Sequence, residues 1–141
     1  MLGKDIVKFI KENELKKLEI QIKFEVDKDG FSDYRTVKLS HLGDSGDKVV
    51  YIEGHHLGSY RRGLKGQEVI DLIEENKLEE YKVNIGFEAG MAPNVTYLIV
   101  LLEDTGDIRH ENDVAYLDGK LFLWFLRLWN NRISMSEMSE V

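Results

Sequence analysis

The chain has 141 residues, an apolar fraction of 43%, a charged fraction of 32% and a formal net charge of −7. This composition is that of a soluble globular protein and not of an intrinsically disordered chain. The acidic balance excludes general nucleic-acid binding, which needs Lys and Arg to neutralise phosphates. There is no cysteine, so disulfides and thiol nucleophiles are excluded and a cytoplasmic location is expected.

An amphipathic helix is predicted at the start of the chain, between residues 1 and 12. Ile6, Val7, Phe9 and Ile10 recur with the 3.6-residue period of a helix. Charged residues interrupt this stretch, which excludes a signal peptide. Alternating apolar and polar residues then predict three strands, and these cover residues 20–26, 34–39 and 48–52.

The same series of elements is predicted a second time. Residues 66–78 repeat residues 3–15 at an offset of 63 (66 − 3), and every apolar position falls on an apolar position. The match continues with Val114–Gly119, which repeats Val49–Gly54. Three further strands are predicted in this second copy, at residues 81–87, 95–102 and 114–117.

The repetition predicts an α+β fold built by tandem duplication of an αβββ unit. We expect antiparallel sheets related by pseudo-two-fold symmetry, followed by an apolar C-terminal segment that is favoured as a helix. Residues 1–63 form the first repeat, and residues 64–141 form the second repeat with the C-terminal segment. Because no Pro/Gly/Ser-rich linker divides the chain, both repeats are expected in one compact body.

The ends of the two predicted helices share a short motif. Ile10–Leu15 and Ile73–Leu78 both have the pattern Ile-x-Glu-Asn-x-Leu. This pattern resembles small uncharacterised phage and mobile-element proteins of Gram-positive bacteria. The resemblance supplies no functional residues. It implies a genomic context in which short inhibitors of host systems are common.

A pair of Asp-Thr/Ser-Gly motifs is the first candidate for catalysis. Asp44–Gly46 and Asp104–Gly106 resemble the aspartic proteases, in which two carboxylates share a proton. Asp47 and Asp107 follow the two motifs, at positions where that family has Ser, Thr or Ala. Each half of this chain is also shorter than one lobe of an aspartic protease. Tight hairpin turns are the favoured interpretation, and no catalytic residue is predicted.

The histidines are the candidates for metal binding. Glu53 and His55 supply at most two ligands from one strand, because His56 points to the opposite side. A metal that joins this group to His110 is the alternative to ordinary exposed loops. The favoured interpretation is the exposed loops, so neither a metal nor a cofactor is predicted.

A basic cluster precedes the second predicted helix. Arg61, Arg62 and Lys65 are candidate ligand-binding residues, because a helix start attracts anions and Arg binds them bidentately. The favoured interpretation is that these cations offset acidic neighbours such as Glu68 and Asp71.

The segment between residues 121 and 129 is apolar on every side, whether it is a helix or a strand. It is either a core element or a subunit interface. The candidate interface residues are Leu121, Phe122, Trp124, Phe125, Leu128 and Trp129.

These patterns favour a non-enzymatic, acidic binding protein that acts through protein–protein contacts, forms a homodimer and does not enter membranes. Its protein partner is not identified by the sequence, and a phage-type inhibitor is the role that the resemblance implies. One alternative is a binder of a small anion or nucleotide through Arg61 and Arg62. The other is a hydrolase that uses Asp44 and Asp104.

Overall fold

The computed structural model describes residues 1–28, 31–91, 94–102, 109–111 and 113–128. In this part of the chain there are two helices and seven strands. In chain order they are α1 (Gly3–Glu12), β1 (Glu19–Lys28), β2 (Phe31–Gly46), β3 (Val49–His56), α2 (Gly66–Glu75), β4 (Lys82–Met91), β5 (Asn94–Leu102), β6 (Arg109–Glu111) and β7 (Val114–Leu128).

Six of these strands form a closed barrel. β1, β2 and β3 pair in antiparallel order, and β4, β5 and β7 do the same. β3 then pairs in parallel with β4, and β7 pairs in parallel with β1, which closes the sheet. The short strand β6 adds to β7.

The predicted α+β fold with antiparallel sheets is therefore wrong, because the described chain is mostly strand and its sheet is a closed barrel that contains two parallel pairings. The physical reason is the two parallel pairings. They join the last strand of one half to the first strand of the other, with Val49 opposite Lys82 and Glu19 opposite Val114. Along the paired residues, closure of this kind covers the edges that two three-stranded sheets would otherwise leave open.

The predicted C-terminal helix is also wrong as far as the structure describes this segment. β7 continues as a strand to Leu128, and its second half pairs with β5 from Val100 to Asn94. Leu121 is partly buried against the core. Of the other candidate interface residues, Trp129 lies outside the described residues.

Both helices pack into the core of the barrel. Their apolar stripes belong to the same buried cluster as the inward-facing residues of the strands. The buried helix residues are Ile6, Val7 and Ile10 in α1, and Val69, Ile70 and Ile73 in α2. Burial of a side chain of this size contributes about 1.5–3 kcal/mol, so the two stripes are a large part of the stability.

Each helix begins on the loop that follows the other helix. Gly3 N donates to Tyr81 O at 2.9 Å, and Gly66 N donates to Leu18 O at 2.9 Å. These contacts are equivalent in the two halves, because Gly66 and Tyr81 lie 63 positions after Gly3 and Leu18 (66 − 3 and 81 − 18). Each helix start is thereby tied to the loop that follows the other helix.

The strand registers show where the two halves diverge. Leu39 pairs with Gly54, and Leu102, 63 positions after Leu39, pairs with Gly119 in the same way. Further along, Gly46 pairs with Val49, and Glu111 pairs with Val114. These two pairs differ by 65 positions (111 − 46 and 114 − 49), so the second half has two additional residues between β5 and β6.

This register changes the interpretation of the Asp44 motif. Gly46 corresponds to Glu111, so the register does not support the alignment of Asp44–Gly46 with Asp104–Gly106. Asp44 and Gly46 both lie inside β2, and the turn to β3 consists of Asp47 and Lys48, with a φ of 58° at Lys48. Asp104 lies outside the described residues.

Candidate interaction surface

The loop between β3 and α2, residues 57–65, is the most distinctive surface of the described chain. By the offset of 65 between Gly54 and Gly119, residues 57–63 correspond to residues 122–128. In the second half these positions continue β7 as a strand. In the first half β3 ends at His56, and a turn closes with Ser59 N donating to His56 O at 3.0 Å.

This β3–α2 loop presents apolar side chains to solvent. Among the described side chains, the large apolar ones that are exposed are Leu57 at 49% and Tyr60 at 93%, and both lie in the loop. The guanidinium carbon of Arg61 lies 5.9 Å from the centre of the Tyr60 ring, within cation–π range. Tyr and Arg are among the residue types that are enriched at the hot spots of protein interfaces.

A buried lysine holds the loop in place. Lys38 lies in β2 and is only 8% exposed. Its Nζ donates to Ser59 O at 2.7 Å and to Leu57 O at 3.3 Å. A buried ammonium needs such acceptors, because an unpaired charge in this environment is costly. The carbonyl groups on both sides of Gly58 are thus fixed to the barrel wall, which restricts the loop near Tyr60.

Arg62, a predicted ligand residue, is already engaged by an acid. Its Nη1 and Nη2 donate to the two carboxylate oxygens of Glu68 at 2.7 and 2.6 Å. The hydrogen bonds from Arg62 lower the pKa of Glu68 to about 2, against a smaller opposing effect of burial. The same hydrogen bonds raise the pKa of Arg62. This bidentate pair uses the donors that an anionic ligand would need.

The start of α2 is engaged as well. Lys65 N donates to Glu68 Oε1 at 3.0 Å, and Gln67 N donates to Lys16 O at 2.9 Å. Together with the bond from Gly66 N to Leu18 O, these contacts satisfy three of the amides that make a helix start attractive to anions. Arg61, Arg62 and Lys65 therefore share one loop, but the helix start beside them does not form an open anion site.

The histidines of the first half lie beside the loop. The rings of His41 and His55 stack with their centres 5.8 Å apart, and Ser40 Oγ lies 2.8 Å from His41 Nδ1. His55 Nε2 is buried and has no hydrogen-bond partner. Burial lowers the pKa of His55, and Arg61, His41 and Lys38 lower it further, against the opposite effect of Glu88.

The metal alternative gains no support from the described residues. His55 and His56 point to opposite faces of β3, and the His56 ring packs edge-on against Phe87 with centres 4.8 Å apart. No group of three His, Asp or Glu side chains that could hold a metal occurs within the part of the chain that the structure describes. The side chain of His110 is not among those described.

Comparisons with known proteins give no relatives. No family model matches the chain, and neither the curated proteins nor the solved structures contain a match.

Within the described residues, neither helix has the length and apolar character needed to cross a membrane.

The sequence pattern indicated the basic cluster in the β3–α2 loop, but it did not indicate Lys38, which holds this loop to the barrel. Lys38 stands in an alternating strand, where a lysine is ordinarily assigned to a solvated face. One signal was present. Lys38 corresponds to Leu101 in the second half, and the largely polar residues 58–62 correspond to residues 123–127, which are apolar except for Arg127. The two copies therefore differ in character both at Lys38 and at the loop that it contacts.

Proposed function

We propose that this protein is a non-enzymatic binding module that contacts a protein partner through the β3–α2 loop. The observation that carries this proposal is the side chain of Tyr60, which is 93% exposed on a loop whose backbone is tied to the barrel by Lys38. A large aromatic side chain on a restrained loop loses little conformational freedom on binding, which favours affinity.

The chemistry of the loop defines the kind of partner. Tyr60 and Leu57 require an apolar depression, and Arg61 beside the Tyr60 ring favours acidic groups at its rim. The whole chain has a net charge of −7, so a uniformly acidic partner would be repelled except at this loop. We therefore infer a partner with a local acidic patch around an apolar pocket.

The alternative of a small anionic ligand receives less support. Arg62 is held by Glu68, and Gly66 N and Gln67 N at the start of α2 donate to carbonyl groups of the loop that follows α1. A hydrolase is not favoured, because the register does not support the alignment of Asp44 with Asp104. Inhibition of a host system, which the phage resemblance implies, would be one use of a protein-binding loop in the cytoplasm.

Site-specific photo-crosslinking tests the proposal. p-Benzoylphenylalanine is placed at Tyr60 in one variant and, as a matched control, at the exposed residue Glu12 of α1 in another. Both are irradiated in extract of the source cells, and the adducts are identified by mass spectrometry. We expect one protein adduct that is specific to position 60 and is lost when Arg61→Glu is added. Identical adducts at both positions, or no adduct at position 60, would overturn the proposal.

A further inference from the structure

His55 lies beside the lysine that holds the β3–α2 loop. Lys38 and His55 are partners in the register of β2 and β3, so their side chains lie on the same face of the barrel wall. The Lys38 Nζ donates to Ser59 O at 2.7 Å and to Leu57 O at 3.3 Å. The imidazole of His55 is therefore a neighbour of the ammonium group that joins the loop to β2.

The site of the His55 ring suits its neutral form. The ring stacks on that of His41 with the two centres 5.8 Å apart. Its Nε2 is buried and finds no hydrogen-bond partner among the described residues. Protonation makes both ring nitrogens donors, so this buried atom would then carry an N–H group without an acceptor in the described structure. A buried donor that is left unsatisfied is costly, and protonation of His55 in place is therefore unfavourable.

The charged groups around His55 also oppose its protonation. The titratable and charged groups that surround the ring are Lys38 and His41 from β2, Arg61 from the β3–α2 loop, Glu88 from β4, and Glu53 from the same face of β3. Burial is the largest cause that lowers the pKa of His55, and Arg61, His41 and Lys38 lower it further, against the opposite effect of Glu88. A proton on the ring therefore adds a positive charge to a group in which cations prevail.

The loop is the part of this group that can move away. β2 and β3 are held by their ladder, which includes the pair of Lys38 and His55. Leu57 and Ser59 are joined to β2 through the Lys38 ammonium. A positive charge on His55 repels this ammonium and the guanidinium of Arg61. Separation of the loop from the barrel wall relieves the repulsion and gives water access to the buried ring nitrogen.

We propose that protonation of His55 weakens the Lys38 anchor and releases the β3–α2 loop, which makes this loop a pH-sensitive element. It is ordered when His55 is neutral and released when His55 is charged. The release is a property of the protein alone. Its consequence, weaker partner binding through Tyr60 at mildly acidic pH, rests on the proposed function.

NMR relaxation of the unmodified chain tests the release. The backbone order parameters of residues 57–61 should fall from about 0.85, the value of rigid backbone, to below about 0.6 as the pH falls through the titration of His55. The titration is followed through the ring protons of His55 and should lie below pH 6.5. Order parameters that stay constant while His55 titrates would overturn the proposal, as would a transition with a different midpoint.

Two glutamine variants separate His55 from its neighbour. His55→Gln does not take up a proton, so its loop should keep the same order parameters across the whole pH range. His56→Gln is the matched control at the next position, which is exposed, and its loop should respond to pH like that of the natural chain. A transition that persists in His55→Gln, or that disappears in His56→Gln, would overturn the proposal. Because no partner is needed, failure of photo-crosslinking at Tyr60 would remove the proposed function without affecting this result.

Discussion

Lys38 Nζ lies 2.7 Å from the carbonyl oxygen of Ser59, and this bond joins the wall of the barrel to the loop that follows β3. A second bond, to Leu57 O at 3.3 Å, fixes the other side of Gly58. Lys38 is buried, while Tyr60 one residue beyond Ser59 is almost fully exposed. A buried cation thus sets the conformation of the surface to which we assign binding.

Replacement of Lys38 by Met should release the loop. The variant keeps an apolar stem but removes a charged donor to two carbonyl groups, so the free energy of unfolding should fall by about 1–3 kcal/mol. Denaturant unfolding measures this loss, and hydrogen exchange of residues 57–61 should accelerate. Lys16→Met, at an exposed position, is the control and should change stability by less than about 0.5 kcal/mol. An equal effect of the two substitutions would show that the anchor contributes nothing.

Alanine at either helix-start glycine should destabilise the protein. A Cβ on Gly66 would lie 2.8 Å from the carbonyl carbon of Leu15, and one on Gly3 would lie 2.9 Å from that of Leu78. Both contacts are with backbone, so we expect each substitution to cost about 1–3 kcal/mol. Thermal and denaturant unfolding measure the effect.

The matched control for these glycines is Gly46→Ala. No heavy atom lies within 4 Å of a Cβ at this position, so its stability should stay close to that of the natural chain. If Gly66→Ala and Gly3→Ala were as stable as Gly46→Ala, the close approach of the two helix starts to the opposite loops would be incorrect.

Removal of Arg62 should raise the pKa of Glu68. The carboxyl group has a pKa of about 2 chiefly because Arg62 donates to it, and Arg62→Ala should return the pKa toward its ordinary value of 4.5. Carbon-detected NMR titration of the Glu68 carboxyl measures the change. Arg61→Ala is the control, since Arg61 does not contribute to this shift. An unchanged Glu68 pKa in Arg62→Ala would contradict the bidentate pair.

The same pair predicts a pH dependence of stability. Because the pKa of Glu68 is depressed in the folded state, its contribution is fully present above the unfolded value near 4.5. It is lost as the pH falls through about 2, where the folded carboxylate takes up its proton. Natural chain and Arg62→Ala should therefore differ in stability at neutral pH and converge in strong acid, as followed by unfolding between these limits.

Titration of His55 should cause a separate decrease in the free energy of unfolding at mildly acidic pH. Its folded pKa lies below the ordinary value of 6.5, chiefly because of burial. Below pH 6.5 the unfolded chain takes up a proton that the folded chain resists, so the free energy of unfolding decreases as the pH falls toward the folded pKa. His55→Gln should reduce this decrease between pH 8 and 5. If the pH dependence were unaltered, titration of His55 would not be its source.

The sequence by itself determined the local elements. The apolar stripe at Ile6, Val7 and Ile10 predicted α1, and the alternation at Ile20, Ile22 and Phe24 predicted the inward face of β1; all six side chains are buried. Such patterns are readable because helix and strand periodicities arise between residues that are close in the chain.

Only the tertiary structure decided the barrel. The parallel pairs of Val49 with Lys82 and of Glu19 with Val114 join segments of different halves, and alternation in a strand does not specify which other strand it meets. The same limit applied to residues 121–128, which are apolar except for Arg127 and are therefore equally compatible with a helix and a strand until pairing with β5 selects the strand. The role of Lys38 was also decided by the tertiary structure, because its carbonyl acceptors reach it only when the loop folds back onto β2.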